Sequence, residues 1–245
     1  MKRCCESIQP SAAIPGSPAS IATEWFGSTT HIPPCHDPAC DCRWKSSSAP
    51  LLAAVAPWSE DFLQGELDRL VGAELLYRRG LPPRARYLFK HALVQDVAYA
   101  ALLRGKRQHW HQRTAEALER HFPGIAESQS EVVAHHYTEA GMRELAIDRW
   151  TRAGELANRR SANLESAGHL SKGLELLARL PESPERDRRE LALQLSLGAA
   201  LIGGRGYTDP SVERAYMRAQ ELAERIGNPP EHFWVLLGLH LSHLV

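Results

Sequence analysis

Three short stretches of this chain carry one spacing of small and bulky residues, and that spacing constrains the fold more than any other feature. They read Trp150-x-x-Ala153-Gly154-x-x-Ala157, Leu197-Gly198-x-x-Leu201 and Trp234-x-x-Leu237-Gly238-x-x-Leu241. A glycine or alanine at the shared position lets a second helix come close, and bulky residues three and four positions away fill the groove beside it. Recurrence of such a unit predicts a stack of helical hairpins. Stacks of this kind offer extended binding surfaces to other proteins.

The segments between these motifs read as helices with short breaks. Ala134, Tyr137 and Gly141 lead into Ala146, Trp150 and Ala153, and the next helix holds Ser166, Leu170, Gly173 and Leu177 inward. Leu191 to Leu201 is expected to end in a glycine-rich turn at Gly203-Gly204-Arg205-Gly206. Asp209-Pro210 then opens a helix with Val212, Tyr216, Ala219 and Leu222 inward. A last helix begins near Glu231. Its Leu236, Leu237, Leu239, Leu241 and Leu244 require a covering partner, so self-association through this unpaired C-terminal helix, or else poor solubility, is expected.

The N-terminal half differs. Residues 1–50 are rich in Pro, Ser, Thr, Ala and Cys, lack a helical period, and are expected to be a disordered leader. From Leu51 the pattern changes to helix, strand, turn, strand. Phe62, Leu63, Leu67, Leu70 and Val71 form the helical stripe, Leu75-Leu76-Tyr77 and Ala85 to Phe89 the strands, and Arg79 to Pro83 the turn. This is the order of the second half of a winged helix, with the turn as the wing. His91 to Leu103 is expected to be a helix burying Leu93, Val94, Val97, Ala98, Ala101 and Leu102, with Gly105 interrupting it. A further helix from about Arg107 to His121 should bury Trp110, Thr114, Ala117 and Leu118.

Charge and composition narrow the function. Twenty-nine basic and 29 acidic residues cancel, so the chain as a whole has no bias towards nucleic acid or membrane. No apolar run approaches the ~20 residues that span a bilayer, and the basic N-terminus lacks the apolar core of a secretory signal. Cytoplasmic location is the expectation. All five cysteines fall within the first 42 residues, so no disulfide staples the helical part.

The hairpins resemble tetratricopeptide repeats, whose first helix carries Trp-x-x-Leu-Gly-x-x-Tyr. Trp234, Leu237 and Gly238 match it, with Leu241 in place of Tyr, and Ala134/Tyr137 with Ala146/Trp150/Ala153 fits a whole unit. The glycines recur at 44 and 40 residues, against about 34 for ordinary repeats. More specifically, ELLYRRGLPPRARYLFKHALVQDVAYAALLRGKRQHWHQRTAEALE, followed by VVAHHYTEAG and HLSKGLELLARLP, resembles one group of large bacterial signalling proteins. These join a class III adenylate or guanylate cyclase, a signal-transducing AAA-like ATPase and tetratricopeptide repeats, and the resemblance covers the junction between ATPase and repeats, roughly residues 51–245. It implies a mainly all-α fold: a tetratricopeptide-like helical hairpin array at 106–245, preceded by a partial winged-helix element with a short β-hairpin at 51–105. The chain departs from those proteins in having no G-x-x-x-x-G-K-[ST] phosphate loop and no counterpart of the cyclase metal-binding acids. It therefore reads as a regulatory fragment, truncated inside a repeat, without catalytic residues or cofactor.

Other constellations carry less chemistry. Cys35, His36, Cys40 and Cys42 are potential zinc ligands, but Cys-x4-Cys-x-Cys lacks a second paired knuckle, and no metal is expected. His135 and His136 project about 100° apart on a helix and cannot chelate together. Arg84, Arg86, Lys90, Arg104, Lys106 and Arg107 belong to a basic segment that reads either as solvated helix and wing surface or as a partner interface. The repeat-packing residues are expected to be Ala134, Tyr137, Ala146, Trp150, Ala153, Gly154, Gly198, Trp234, Leu237 and Gly238. The favoured reading is a non-catalytic segment that binds a protein partner through its helical array. The rivals are one part of a split or frameshifted cyclase or ATPase, and a DNA-binding regulator using the basic wing, nucleic acid being the disfavoured partner.

Overall fold

A computed structural model of the chain describes residues 46–227, 230 and 232–243, with eleven helices and three short strands among them. The fold is mainly α-helical, and it divides into two compact units, one up to Thr114 and one from Ala115 onward. The candidate zinc ligands Cys35, His36, Cys40 and Cys42 lie outside the described residues.

The first unit begins earlier than composition suggests. Strand β1 (Ser46–Ser48) and helix α1 (Ala49–Val55) start inside the stretch expected to be leader. Three serines carry no strand signal of their own. β1 exists because its backbone pairs antiparallel with β3 (Arg86–Phe89), Ser47 opposite Tyr87. Helix α2 (Glu60–Gly72) is capped by Ser59, whose hydroxyl accepts the Phe62 N–H, and Glu60 and Asp61 complement its positive end. β2 (Leu76–Arg79) joins the other edge of β3, giving the order β1-β3-β2. Helix, strand, wing and strand stand where the sequence pattern places them. Leu52, Val55, Leu63, Leu67, Leu70, Leu76 and Tyr87 form the core between helices and sheet, and the Tyr87 hydroxyl meets the Gln64 amide at 3.1 Å.

Helix α3 (Ala92–Ala101) is rotated relative to its apolar stripe. Leu93 and Val97 are 74% and 69% exposed, while Gln95 and Tyr99 are buried. The reason is polar: the Tyr99 hydroxyl pairs with buried His111 Nε2 at 3.1 Å, and the Arg107 guanidinium lies 5.2 Å from the Tyr99 ring centre. The break before the next helix falls at Leu102-Leu103, and Gly105 sits inside α4 (Arg104–His121). The first compact unit extends to Thr114, within α4.

In the second unit Pro123 opens the short helix α5 (Pro123–Ser128). Then come α6 (Ser130–Ala140), α7 (Arg143–Arg159), α8 (Asn163–Leu177), α9 (Pro184–Arg205), α10 (Pro210–Ile226) and α11 (His232–His243), each packed on its neighbour in sequence. Gly141, at φ +81°, ends α6 in the left-handed conformation that glycine adopts without penalty. Ser183 and Asp209 cap α9 and α10, each followed by Pro at the first helical position.

The expected glycine-rich turn is not a turn. Gly203 and Gly204 belong to the last turn of α9, and only Gly206 leaves the helix. A Cβ on Gly203 would sit 2.5 Å from the Asn163 amide nitrogen, and one on Gly204 2.8 Å from Leu164 Cδ2. The paired glycines let the end of α9 press against the start of α8, a packing role that a Gly-Gly pair does not announce in sequence.

Candidate functional site

The packing residues come first, because they set the spacing of the surface. Ala134, Tyr137, Ala146, Trp150, Ala153 and Gly154 are buried as expected. Trp150 Nε1 donates to Thr138 Oγ1 at 3.0 Å, tying α7 to α6. A Cβ on Gly154 would meet Leu170 Cγ at 2.7 Å, and buried Ser166 donates to the Gly154 carbonyl at 2.8 Å. Gly154 therefore lets the Leu170 and Ser166 side chains of α8 rest directly on the backbone of α7. Gly198 and Gly238 repeat the device from two sides of one ring: a Cβ on Gly198 would stand 2.6 Å from Tyr216 Cε2, and one on Gly238 would overlap Cε1.

Charged pairs join the same helices outside this core. Glu119 accepts both the Tyr137 hydroxyl at 2.8 Å and Arg149 Nε at 2.9 Å, linking α4, α6 and α7. Burial and this carboxylate raise the pKa of the Tyr137 phenol. Asp148 of α7 pairs with Arg189 of α9, Glu190 of α9 with Arg218 of α10 at 2.7 Å, and Asp187 of α9 with Arg225 of α10 at 3.4 Å.

Trp150 also stacks on His169 of α8, ring centres 5.4 Å apart, with the Lys172 ammonium 4.4 Å from the indole centre. Burial lowers the pKa of His169, while Glu165, 3.4 Å away, pulls it back upward. The folded chain thus holds this imidazole neutral at a pH where the unfolded chain, titrating near 6.5, already takes a proton. The stabilisation is complete above about pH 6.5 and is lost as the pH falls towards the depressed folded value. Urea midpoints measured between pH 7.5 and 5 should fall less steeply for His169→Gln than for the parent chain. Parallel slopes would contradict this role.

With those faces buried, α7, α9 and α11 turn another set of residues outward. Asp148, Thr151, Arg152 and Glu155 of α7 face Arg189, Ala192 and Ser196 of α9 across a groove of about 340 Å³. An adjoining groove of about 380 Å³ includes Glu155 and Asn158 of α7, Ser196 and Ala199 of α9, and Trp234 and Leu237 of α11, with Leu170 and Tyr216 also in its lining. Glu155 and Ser196 border both, so the two form one continuous surface. Polar groups alternate with apolar ones along it, the mixture that seats a peptide by main-chain hydrogen bonds and side-chain anchors.

Trp234 and Leu237, expected in the packing, are instead part of this surface. Trp234 is 60% exposed, and Phe233 and Leu236 are exposed beside it, because α11 turns Val235 and Leu239 towards Leu191, Ala219, Leu222 and Ala223, and Gly238 towards the Tyr216 ring. The Leu241 side chain and Leu244 lie outside the described part. Asp148, Arg152, Glu155, Asn158 and Ser196 carry no sequence signal, since charged and small polar residues on a helix read as solvated surface.

The basic residues lie on several elements. Arg84 and Arg86 are exposed on the β2–β3 hairpin, Lys90 turns to Glu74 at 3.5 Å and to the Tyr77 ring, and Arg107 lies over Tyr99. Arg104 and Lys106 occupy the exposed first turn of α4. Among the described residues, no three His, Cys, Asp or Glu side chains are grouped to hold a metal ion, and no helix is long and apolar enough to cross a membrane.

No protein-family profile matches the chain, and no solved structure matches it. It is similar to an uncharacterized protein of Rhizobium meliloti (strain 1021), 32% identical over 177 residues that cover 72% of this chain. The matched stretch spans 17% of that relative's length.

Proposed function

We propose that the chain is a non-catalytic protein-interaction and regulatory segment, related to the cyclase–ATPase–tetratricopeptide signalling proteins, and that its array binds a partner protein along the α7/α9/α11 groove. One observation carries this reading: the helices bearing the recurring glycine motif are the ones whose outward faces line a continuous, mixed polar and apolar groove. The similarity to a short part of a much longer protein fits a module that works joined to others. The uncovered Phe233 and Leu236 of α11 further support self-association at that end of the array.

Ser196 and Ala199 are exposed on the groove side of α9, so arginine there fills the groove without entering the core. A partner captured by the parent chain should be lost from Ser196→Arg/Ala199→Arg and retained by Arg84→Ala/Arg86→Ala. Capture that survives the groove substitutions and disappears with the hairpin ones would replace this reading with one centred on the basic wing.

A further inference from the structure

A second concavity lies on the opposite side of α9. Its walls come from α8, α9 and α10, and its volume is about 390 Å³, at the small end of the ~300–1,000 Å³ typical of ligand pockets. Gln194, Leu197, Leu201 and Arg205 of α9 line it, roughly half a helical turn away from the Ser196 and Ala199 that line the peptide groove. The pocket therefore shares no lining residue with that groove.

Its lining is divided by chemistry. Ala167 and Gly168 of α8, Leu197 and Leu201 of α9, and Ala215 of α10 make an apolar floor, and the exposed Arg205 and Arg214 also line it. Ser171 and Gln194 add neutral hydrogen-bonding groups. Asp209 Oδ2 pairs with Arg205 at 3.8 Å, its Oδ1 accepts the backbone N–H and the hydroxyl of Ser211 as the cap of α10, and Arg205 also reaches Ser211 Oγ at 3.5 Å. Two cations against one carboxylate leave the pocket with a positive excess.

Gly168 offers a place to fill the pocket without disturbing the packing. A glycine inside a helix costs about 1 kcal/mol relative to alanine. At Gly154, Gly198, Gly203 and Gly204 the fold uses the missing side chain, because a Cβ there would come within 3 Å of a neighbour; at Gly168 a Cβ would meet nothing within 4 Å. Gly65, Gly72 and Gly105 are open in the same way, and Gly168, though it lines the pocket, is exposed, so a larger side chain there meets no packed neighbour.

We infer that this pocket binds a small amphipathic anion, its apolar body resting on the Gly168/Leu197/Leu201 floor and its carboxylate or phosphate group held by Arg205 and Arg214. Guanidinium forks recognise both anion types by paired hydrogen bonds, and an apolar floor excludes the water that would compete.

The test uses the full chain and three probes of one shape: 2-naphthoate, 2-naphthyl phosphate and the neutral 2-naphthamide, titrated calorimetrically. At least one anion should bind saturably, one per chain, and more tightly than the amide. Gly168→Leu should weaken it about tenfold or more while the thermal midpoint stays level or rises, since leucine favours the helix. Arg214→Gln should weaken the anions and leave the amide unchanged. Whichever anion binds more tightly identifies the head group. The inference is overturned if neither anion saturates at a few millimolar, if Gly168→Leu binds like the parent, or if the amide binds as tightly as the anions. None of these outcomes bears on the peptide groove.

Discussion

Tyr216→Ala is expected to destabilise the array by about 3–5 kcal/mol, the cost of deleting a large buried aromatic side chain. Tyr216 is 6% exposed, and its ring fills the space left by two glycines on different helices, Gly198 of α9 and Gly238 of α11. Removing the ring opens a cavity that neither glycine can close, so α9, α10 and α11 lose their common wedge together. The companion substitution is more diagnostic. Gly198→Ala places a methyl group 2.6 Å from a ring that cannot bend aside, and overpacking of this kind costs about 1–3 kcal/mol, against a gain of up to ~1 kcal/mol in helix propensity. In the parent chain Gly198→Ala should therefore destabilise; in a Tyr216→Ala background, with the ring gone, it should stabilise. Urea unfolding of the four chains followed by circular dichroism measures this reversal. The same sign in both backgrounds would show that the ring and the glycine do not share one space.

Trp150→Ala should be comparably severe, again about 3–5 kcal/mol. The indole is almost fully buried between α6, α7 and α8, stacks on His169, and donates to Thr138. Deleting it leaves a void, a Thr138 hydroxyl reduced to its bond to the Ala134 carbonyl, and a partly exposed His169. Trp150→Phe separates these effects. It keeps an aromatic face for His169 but removes the hydrogen bond and part of the volume, and should cost clearly less than alanine does. If phenylalanine is as damaging as alanine, the bond to Thr138 and not the packing carries the site.

The array was legible in sequence because a glycine within an apolar helical stripe has a single physical use there, close approach. Gly154, Gly198 and Gly238 all show it. Legibility failed where a residue's role is fixed by a partner distant in sequence. Gly203 and Gly204 read as a turn until Asn163 and Leu164 are seen against them. Leu93 and Val97 read as core until the Tyr99–His111 pair is seen to hold the other face inward. Trp234 matches a packing motif, yet the helix carrying it turns Val235 inward instead. The groove was least legible of all, since Arg152, Glu155 and Ser196 become a surface only when α7 and α9 lie side by side.

The central claim is that this surface holds a protein, and a photo-crosslinking amino acid placed at Ser196 tests it most directly, with Arg188, exposed on the same helix and outside the grooves, as the comparison site. In a lysate of the parent organism, position 196 should yield one discrete protein adduct, position 188 none, and Ala199→Arg should abolish the adduct. Equal adducts from both positions, or none from 196, would contradict the claim.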